Sequence, residues 1–172
     1  MLRAEQAAPA TLIRPQPTAD FCDENPSALV LQNGFVSFGG SRGCVGSVET
    51  IATRDDNSQV KAALQEPGQG RVLLVDNQGS TNCAMLGGDL AGLAAANGWA
   101  GIVVNGAVRD LEELRQTAVA VFALAACPRK SQKRGIGTRG EPVRIGGAYI
   151  RRDDIIAADA DGVVCLASWA AQ

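Results

Sequence analysis

At 172 residues the chain is long enough for one domain with a full core and too short for two ordinary ones. Its formal charge of −2 gives no general electrostatic case for nucleic acid or an anionic membrane. Hydrophobic residues reach 46 %, but glycines and charges break them into short runs. No stretch approaches the roughly 20 apolar residues of a membrane span.

The opening MLRAEQAAPATLIRPQ lacks the continuous apolar segment of a secretory signal. Residues 1–17 are expected to form a loosely held arm before a single domain at 18–172. Thr18 is placed to cap a short helix, TADFCDE, that Pro26 stops. Phe35-Val-Ser-Phe38 reads as a strand entering the turn Gly39-Gly-Ser-Arg-Gly43, and Cys44 to Thr53 resumes as a strand. Asp56-Asn57-Ser58 then caps a helix from Gln59 to Glu66, closed by Pro67-Gly68. Arg71 to Asp76 is a further strand, and Thr81 to Leu86 a short one.

The stretch Gly87 to Glu113 organises the rest of the chain. Gly87-Gly88 open a helix with Leu90, Leu93 and Ala94 at helical spacing, and Gly98 ends it. Gly101-Ile-Val-Val104 is a buried-strand run, and Asp110 starts a second helix through Leu114. Ala118 to Ala126 is another apolar strand, and the basic loop Pro128 to Arg134 comes after it. From Pro142 to Leu166 apolar runs alternate with turn residues, as in an antiparallel layer. The fold class is therefore α/β: a compact sandwich with a central β-α-β unit and a β-rich C-terminal third.

The chain has no histidine. That excludes Ser-His-Asp and Cys-His catalysis and every metal site built on imidazole, leaving hard cations held by oxygen, magnesium or manganese. The five cysteines, at 22, 44, 83, 127 and 165, form no CxxC and read as small apolar residues of a reducing compartment, the cytoplasm. The three lysines, 61, 130 and 133, lie outside the apolar strands, which argues against a Schiff-base role. Gly135 to Gly140 matches GxGxxG in letters, but a basic loop precedes it and a strand comes after, so it reads as a turn. Gly39 to Gly43 lacks the GK[ST] ending of a P-loop. The loop RKSQKR has no aromatic interleaving for stacking bases and reads as solvated charge. Part of it, Arg129 first, is a candidate to close over an anionic substrate.

Two points inside the central unit can hold a ligand. The helix N-terminus at Gly87, Gly88, Asp89 and Leu90 offers exposed amides to a carboxylate, or it is only a turn and cap. Arg109-Asp110 can bind an oxyanion and a cation. Asp110-Leu-Glu-Glu113 also approximates a capping box, with its acids suited to the helix dipole.

The run ALAAANGWAGIVVNGAVRDLEEL, with GGDL before it, resembles the 4-hydroxy-4-methyl-2-oxoglutarate aldolase family, which includes the regulator of ribonuclease E activity A. Gly88, Arg109, Asp110 and Glu113 meet its signature of Gly, twenty residues, Arg-Asp, two residues and an acid. The resemblance runs over about residues 18–166 and includes GRVLLVDNQGS and DDIIAADADGVV. The family's Pro-Gly-Asp turn stands here as Arg152-Asp153-Asp154, and no carboxylate comes after Asp161. The resemblance implies an α/β/β fold and a homotrimer with sites between subunits. It also implies a class II aldolase that cleaves 4-hydroxy-4-methyl-2-oxoglutarate and decarboxylates oxaloacetate through one pyruvate enolate. On that reading Asp110 holds Mg2+ or Mn2+, with Glu113 and Glu112 orienting its waters. The Gly87–Leu90 amides bind the carboxylate of a small 2-oxo acid, Arg109 binds the C2 oxygen, and a water or Asp89 handles the proton. The alternative is a non-catalytic trimer that inhibits a ribonuclease.

Overall fold

In a computed structural model of the chain, residues 15–32 and 34–170 are described. Most of the expected arm, residues 1–14, lies outside them. The element order is α1 (Thr18–Glu24), β1 (Leu29–Val30), β2 (Val36–Ser37), β3 (Cys44–Ala52), α2 (Ser58–Leu64), β4 (Val72–Asp76) and β5 (Ala84–Leu86). Then come α3 (Gly88–Ala96), β6 (Gly101–Val108), α4 (Leu111–Gln116), β7 (Ala120–Ala126), β8 (Thr138–Arg139), β9 (Val143–Ile145) and β10 (Ala148–Ile150). The strands β11 (Ile155–Asp159) and β12 (Gly162–Leu166) and a 3-10 turn at Ser168–Ala170 complete it.

The main sheet runs β1-β12-β11-β3-β4-β6-β7-β2. Its centre, β3-β4-β6-β7, is parallel, and its flanks are antiparallel. Parallel strands are buried on both faces, which is why they read as unbroken apolar runs. Leu73, Val75, Ile102, Val104 and Val121 face one way, onto Val60, Leu64, Ala91 and Leu114 of the helices. Their neighbours Val72, Leu74, Val103 and Phe122 face the other way, onto Val143, Ile145 and Ile150 of the β9–β10 hairpin. Each such side chain contributes about 1.5–3 kcal/mol of burial. The result is an α/β/β sandwich, as the family resemblance implies. A third cluster packs Phe21 of α1 on Ile155, Val164 and Leu166.

Several local expectations are corrected. Thr18 does not cap α1. Its amide and hydroxyl both donate to the Asp159 carboxylate, at 2.7 Å each, tying α1 to the end of β11. The expected strand at Phe35–Phe38 shrinks to Val36–Ser37. β6 runs four residues beyond Val104, because a bulge between Val104 and Ala107 takes up Asn105 and Gly106. Gly106 fits there only without a side chain, since a Cβ would meet Asn77 and the Ser80 carbonyl at 3.0 Å. The GxGxxG stretch is a turn feeding β8, which pairs with β3, and no helix comes after it. Cys44, Cys83 and Cys165 are buried, Cys22 and Cys127 partly so, and all five are free thiols. Among the described residues no helix is long and apolar enough to cross a membrane.

Candidate active site

Three parallel strands and β5 deliver their carboxyl ends to one edge of the sheet, where open α/β sheets bind ligands. Asn57 comes after β3, Gly87 after β5, Arg109 and Asp110 after β6, and Ser131 after β7. All of them line one cleft of about 170 Å³.

Asp110 makes the sharp turn from β6 into α4 with φ 60° and ψ 47°, a left-handed conformation that aspartate tolerates better than most residues. This turn decides between the two readings of Asp110. Its side chain makes no capping bond to its own helix. Oδ2 instead accepts the Gly88 amide at 3.0 Å, capping α3 across the cleft. The Arg109 Nε lies 3.7 Å from the same oxygen, with both side chains 40 % exposed. The Arg109 amide donates to the Leu86 carbonyl at 2.9 Å, which fixes β6 beside β5.

Gly87 allows this approach. A Cβ there would stand 2.5 Å from Asp110 Oδ2 and 3.3 Å from the Arg109 Cγ. At Gly88 a Cβ would collide with the Glu113 carboxylate, so Glu113 packs against the start of α3. Asp89 and Leu90 line the cleft beside Gly87. Glu112 is not brought there: it pairs with Arg115 at 3.0 Å on the exposed side of α4, with its side chain 85 % exposed. The two glutamates of the motif therefore separate.

The cleft contains residues that sequence reasoning left out. Lys61, Lys130 and Lys133, the only lysines of the chain, all line it. The basic loop reaches it through Lys130 and Lys133 rather than Arg129, whose carbonyl accepts the Ala84 amide at 2.7 Å. That loop is held down firmly. Asn57 donates its amide to the Gln132 carbonyl at 3.2 Å, and Gln132 donates to the Asp55 carbonyl at 2.9 Å. The Arg134 amide donates to Asp56, and the Gly135 amide to the Ser58 hydroxyl at 3.0 Å. Burial alone would raise the pKa of Asp56, but hydrogen bonds from Ser58, Arg134 and Ile136 outweigh it and hold the carboxyl below its ordinary value. Asp56 is thus an ionised anchor for the loop. The one sequence signal for this convergence was the lysine count, three in 172 residues, with two inside a single loop.

Two carboxylates line this cleft, Asp89 and Asp110, and a cation bound there would meet one or both of them. Among the described residues no group of three or more His, Cys, Asp or Glu side chains converges on a metal position. So sparse a set would suit only a hard ion that keeps most of its waters.

Comparison with known proteins places the whole domain. The family model described as Aldolase/RraA matches residues 18–165. A Burkholderia mallei protein named "Putative 4-hydroxy-4-methyl-2-oxoglutarate aldolase" is 50 % identical over 153 residues, covering 86 % of this chain and 93 % of its own. The solved structure of the RNA-processing inhibitor RraA from Thermus thermophilis is 42 % identical with a TM-score of 0.85, covering 89 % of this chain and 93 % of its own. That of a Geobacillus kaustophilus protein described as an S-adenosylmethionine: 2-dimethylmenaquinone methyltransferase is 37 % identical with a TM-score of 0.86, covering 88 % and 95 %. The three names give three activities, so the function has to be argued from the cleft. The lineage is plain: this chain is a member of the RraA-like, Aldolase/RraA family.

Proposed function

We propose that the chain is a divalent-metal-dependent lyase that cleaves 4-hydroxy-4-methyl-2-oxoglutarate by a retro-aldol reaction and decarboxylates oxaloacetate at the same site. The observation that carries this is the junction of Arg109 and Asp110 with the N-terminus of α3, inside a cleft that also takes all the lysines. The aldolase name of the 50 % identical Burkholderia relative supports it.

Asp110 would hold Mg2+ or Mn2+, with Glu113 beside it able to orient coordinated water. When bound, the cation supplies Lewis-acid polarisation of the 2-oxo acid and neutralises charge near C2. The amides at the start of α3 suit the substrate's C1 carboxylate, where the helix dipole and open N–H groups favour an anion. Arg109 donates to the C2 oxygen. As the C3–C4 bond breaks, its electron pair passes through C3 to that oxygen, giving the pyruvate enolate. The C4 hydroxyl loses its proton to water or to Asp89 on the cleft wall, and C4 becomes the carbonyl of a second pyruvate. Protonation of the enolate at C3 completes the cycle. With oxaloacetate the same enolate forms as CO2 departs. Arg109 serves both reactions because it acts on their common half, where negative charge develops.

The deciding experiment measures pyruvate release from each substrate with Mg2+, with Mn2+ and with excess chelator. Chelator should abolish turnover and either metal should restore it. Full activity in chelator would defeat the metal role, and no pyruvate under any condition would defeat the enzyme.

A second reading, a non-catalytic trimer that inhibits a ribonuclease, draws support from the 42 % identical RNA-processing inhibitor. Apolar Leu29 and Val30 at one outer edge of the sheet and Val36 at the other are each about half exposed, which favours association of copies. Sedimentation should show a trimer. Ribonuclease inhibition that survives Asp110→Asn while no lyase activity exists in the wild type would select this reading.

A further inference from the structure

The β9–β10 hairpin carries a second set of exposed groups, on the face of the sheet turned away from the helices. It buries Val143, Ile145, Ala148 and Ile150 against the sheet, so strand alternation sends Arg144 and Tyr149 outward. Those two are cross-strand partners, and the exposed Arg151 comes two residues after Tyr149. The guanidiniums of Arg144 and Arg151 lie over the Tyr149 ring, 4.9 Å and 5.3 Å from its centroid. Tyr149 and Arg151 also share a cavity of about 240 Å³ with Trp169 of the C-terminal 3-10 turn. Of the chain's three Trp and Tyr residues only Trp99 is buried; Tyr149 is 45 % exposed and Trp169 73 %. Rings left in water forfeit their burial, and Trp, Tyr and Arg are the residue types that anchor protein interfaces.

The charge of this face is not balanced internally. Arg152 lines the same cavity but is committed to Glu49. Asp154 lines it too, yet it is buried, and its two oxygens accept the Arg151 and Ser168 amides at 2.8 Å each. Among the described residues Arg144 and Arg151 have no carboxylate partner, and the exposed acid of the 151–154 turn is Asp153 alone. Two uncommitted guanidiniums thus stand beside two exposed rings.

We infer that this face docks an acidic segment of a partner protein: carboxylates pair with Arg144 and Arg151, and an apolar side chain between them enters the cavity against Tyr149 and Trp169. A guanidinium presents a planar fork that takes a carboxylate through two parallel hydrogen bonds, and stacking on Tyr149 orders that fork in advance. Single-stranded nucleic acid fits less well, because both cations already cover the Tyr149 ring and only Trp169 is open to a stacking base. The hairpin and the helices pack on opposite faces of the sheet, so this surface stands apart from the lyase reading.

Tryptophan fluorescence of the full chain tests the proposal, since Trp169 is exposed and Trp99 buried. A capped Glu-Glu-Leu-Glu-Glu peptide should shift the emission to the blue. It should bind about tenfold tighter than Gln-Gln-Leu-Gln-Gln, the scale of one charge-assisted hydrogen bond. It should exceed Glu-Glu-Ser-Glu-Glu by about fivefold or more, because only leucine buries apolar surface in the cavity. Added NaCl should weaken it. Arg144→Gln/Arg151→Gln should erase most of the preference for the acidic peptide. Trp169→Ala, followed by calorimetry, should erase most of the preference for leucine. These positions are exposed, so urea midpoint, sedimentation and pyruvate release should stay at wild-type values. No peptide binding at millimolar concentration, equal binding of the glutamine peptide, a preference that survives the double variant, or tighter binding of hexauridylate would each overturn the proposal. So would altered sedimentation of either variant, which would assign the face to contact between copies.

Discussion

The chain gathers charge in two places and treats it in opposite ways. Glu49, in the middle of β3, is fully buried, and its carboxylate is saturated by Arg71 at 3.4 Å, Arg139 at 3.2 Å and Arg152 at 2.5 Å. Arg139 also holds Glu66 at 2.8 Å, so the network ties the sheet centre to β8, to the end of α2 and to the 151–154 turn. The cleft is the reverse: a 3.7 Å pair at partial exposure, three lysines, and two buried polar atoms without partners among the described residues. A saturated buried cluster holds position, because nothing in it is available to a ligand. An unsaturated one beside open amides at a strand end can act on a ligand. The departure from the family at Arg152-Asp153-Asp154 belongs to the first kind, since Arg152 is spent on Glu49 and Asp154 accepts the Arg151 and Ser168 amides.

The sharpest break of this comparison is in the cleft. Arg109→Lys keeps the charge but loses the planar fork, and Asp110→Asn keeps the shape but loses the charge. Each should lower kcat for both substrates by about 10²–10³, the scale of losing one group aimed at a developing oxyanion. An exposed pair contributes only about 0–1 kcal/mol to folding, so Tm should move by less than about 4 °C. Removal of one activity with the other spared would show that the reactions do not share Arg109 and Asp110.

Glu49→Gln should give the opposite phenotype. Breaking a buried ion pair costs about 3–5 kcal/mol, and the lower end applies because the three arginines remain partly solvated. Urea unfolding should report that loss, while kcat at low temperature stays near wild type. A stable but inactive Glu49→Gln would move Glu49 into the functional class.

A smaller effect comes from pH. For Glu49, burial alone raises the pKa, but hydrogen bonding and charge from Arg152, then Arg139, outweigh it and hold the carboxyl below its ordinary value. Asp159 is lowered in the same way, with the Thr18 amide and hydroxyl outweighing burial. Asp55 is lowered by Ser80, Asn77, Cys83 and Asn82, again against burial. A carboxyl whose folded pKa is depressed stabilises the fold fully above its unfolded value, about 4 for Asp and Glu. Below that the unfolded chain binds more protons, and the stability is lost as pH falls through the folded pKa. Urea midpoints should therefore hold near neutrality and drop below about pH 4, with a shallower acid slope in Glu49→Gln. Midpoints independent of pH down to about 3 would mean that these carboxyls carry no coupling to folding.

The parallel core and the approach of Gly87-Gly88 to Arg109-Asp110 were legible because both are local. Unbroken runs such as Val72-Leu-Leu-Val75 announce strands buried on two faces. Gly87-Gly88 and Arg109-Asp110 flank one β-α-β unit, and their spacing alone brings them close. What was not legible depends on pairing between distant segments. That Asp110 caps α3 and not α4 results from a left-handed turn that no residue type dictates. Thr18 turns to Asp159, 141 residues away, for the same kind of reason. Ser131 reaches the cleft because the Asp56–Gln132 and Ala84–Lys130 bridges pin its loop beside the end of β3 and the start of β5.

The finest test of the comparison lies between two adjacent glycines. At Gly87, in an extended conformation open to any residue, a methyl would stand 2.5 Å from the Asp110 Oδ2. That oxygen is held by the Gly88 amide and Arg109, so it must shift, and a misplacement of a few tenths of an ångström to 1 Å costs about 10–100-fold in rate. At Gly88 the nearest obstacle is the Glu113 carboxylate, the far end of an exposed side chain that can swing aside, and behind it the Glu113 Cβ stands at 3.0 Å and must give slightly. Alanine in the first turn of α3 also recovers about 0.5–1 kcal/mol of backbone entropy relative to glycine. Gly88→Ala should therefore change stability by less than about 1 kcal/mol, the entropy gain offsetting the tight Glu113 Cβ contact, and lower kcat only about two- to fivefold, through the water ordering lost with Glu113. Glu113→Gln should reproduce that small loss, and combining it with Gly88→Ala should add nothing. If Gly88→Ala proved as damaging as Gly87→Ala, Glu113 would be acting on the ligand directly and not through its waters.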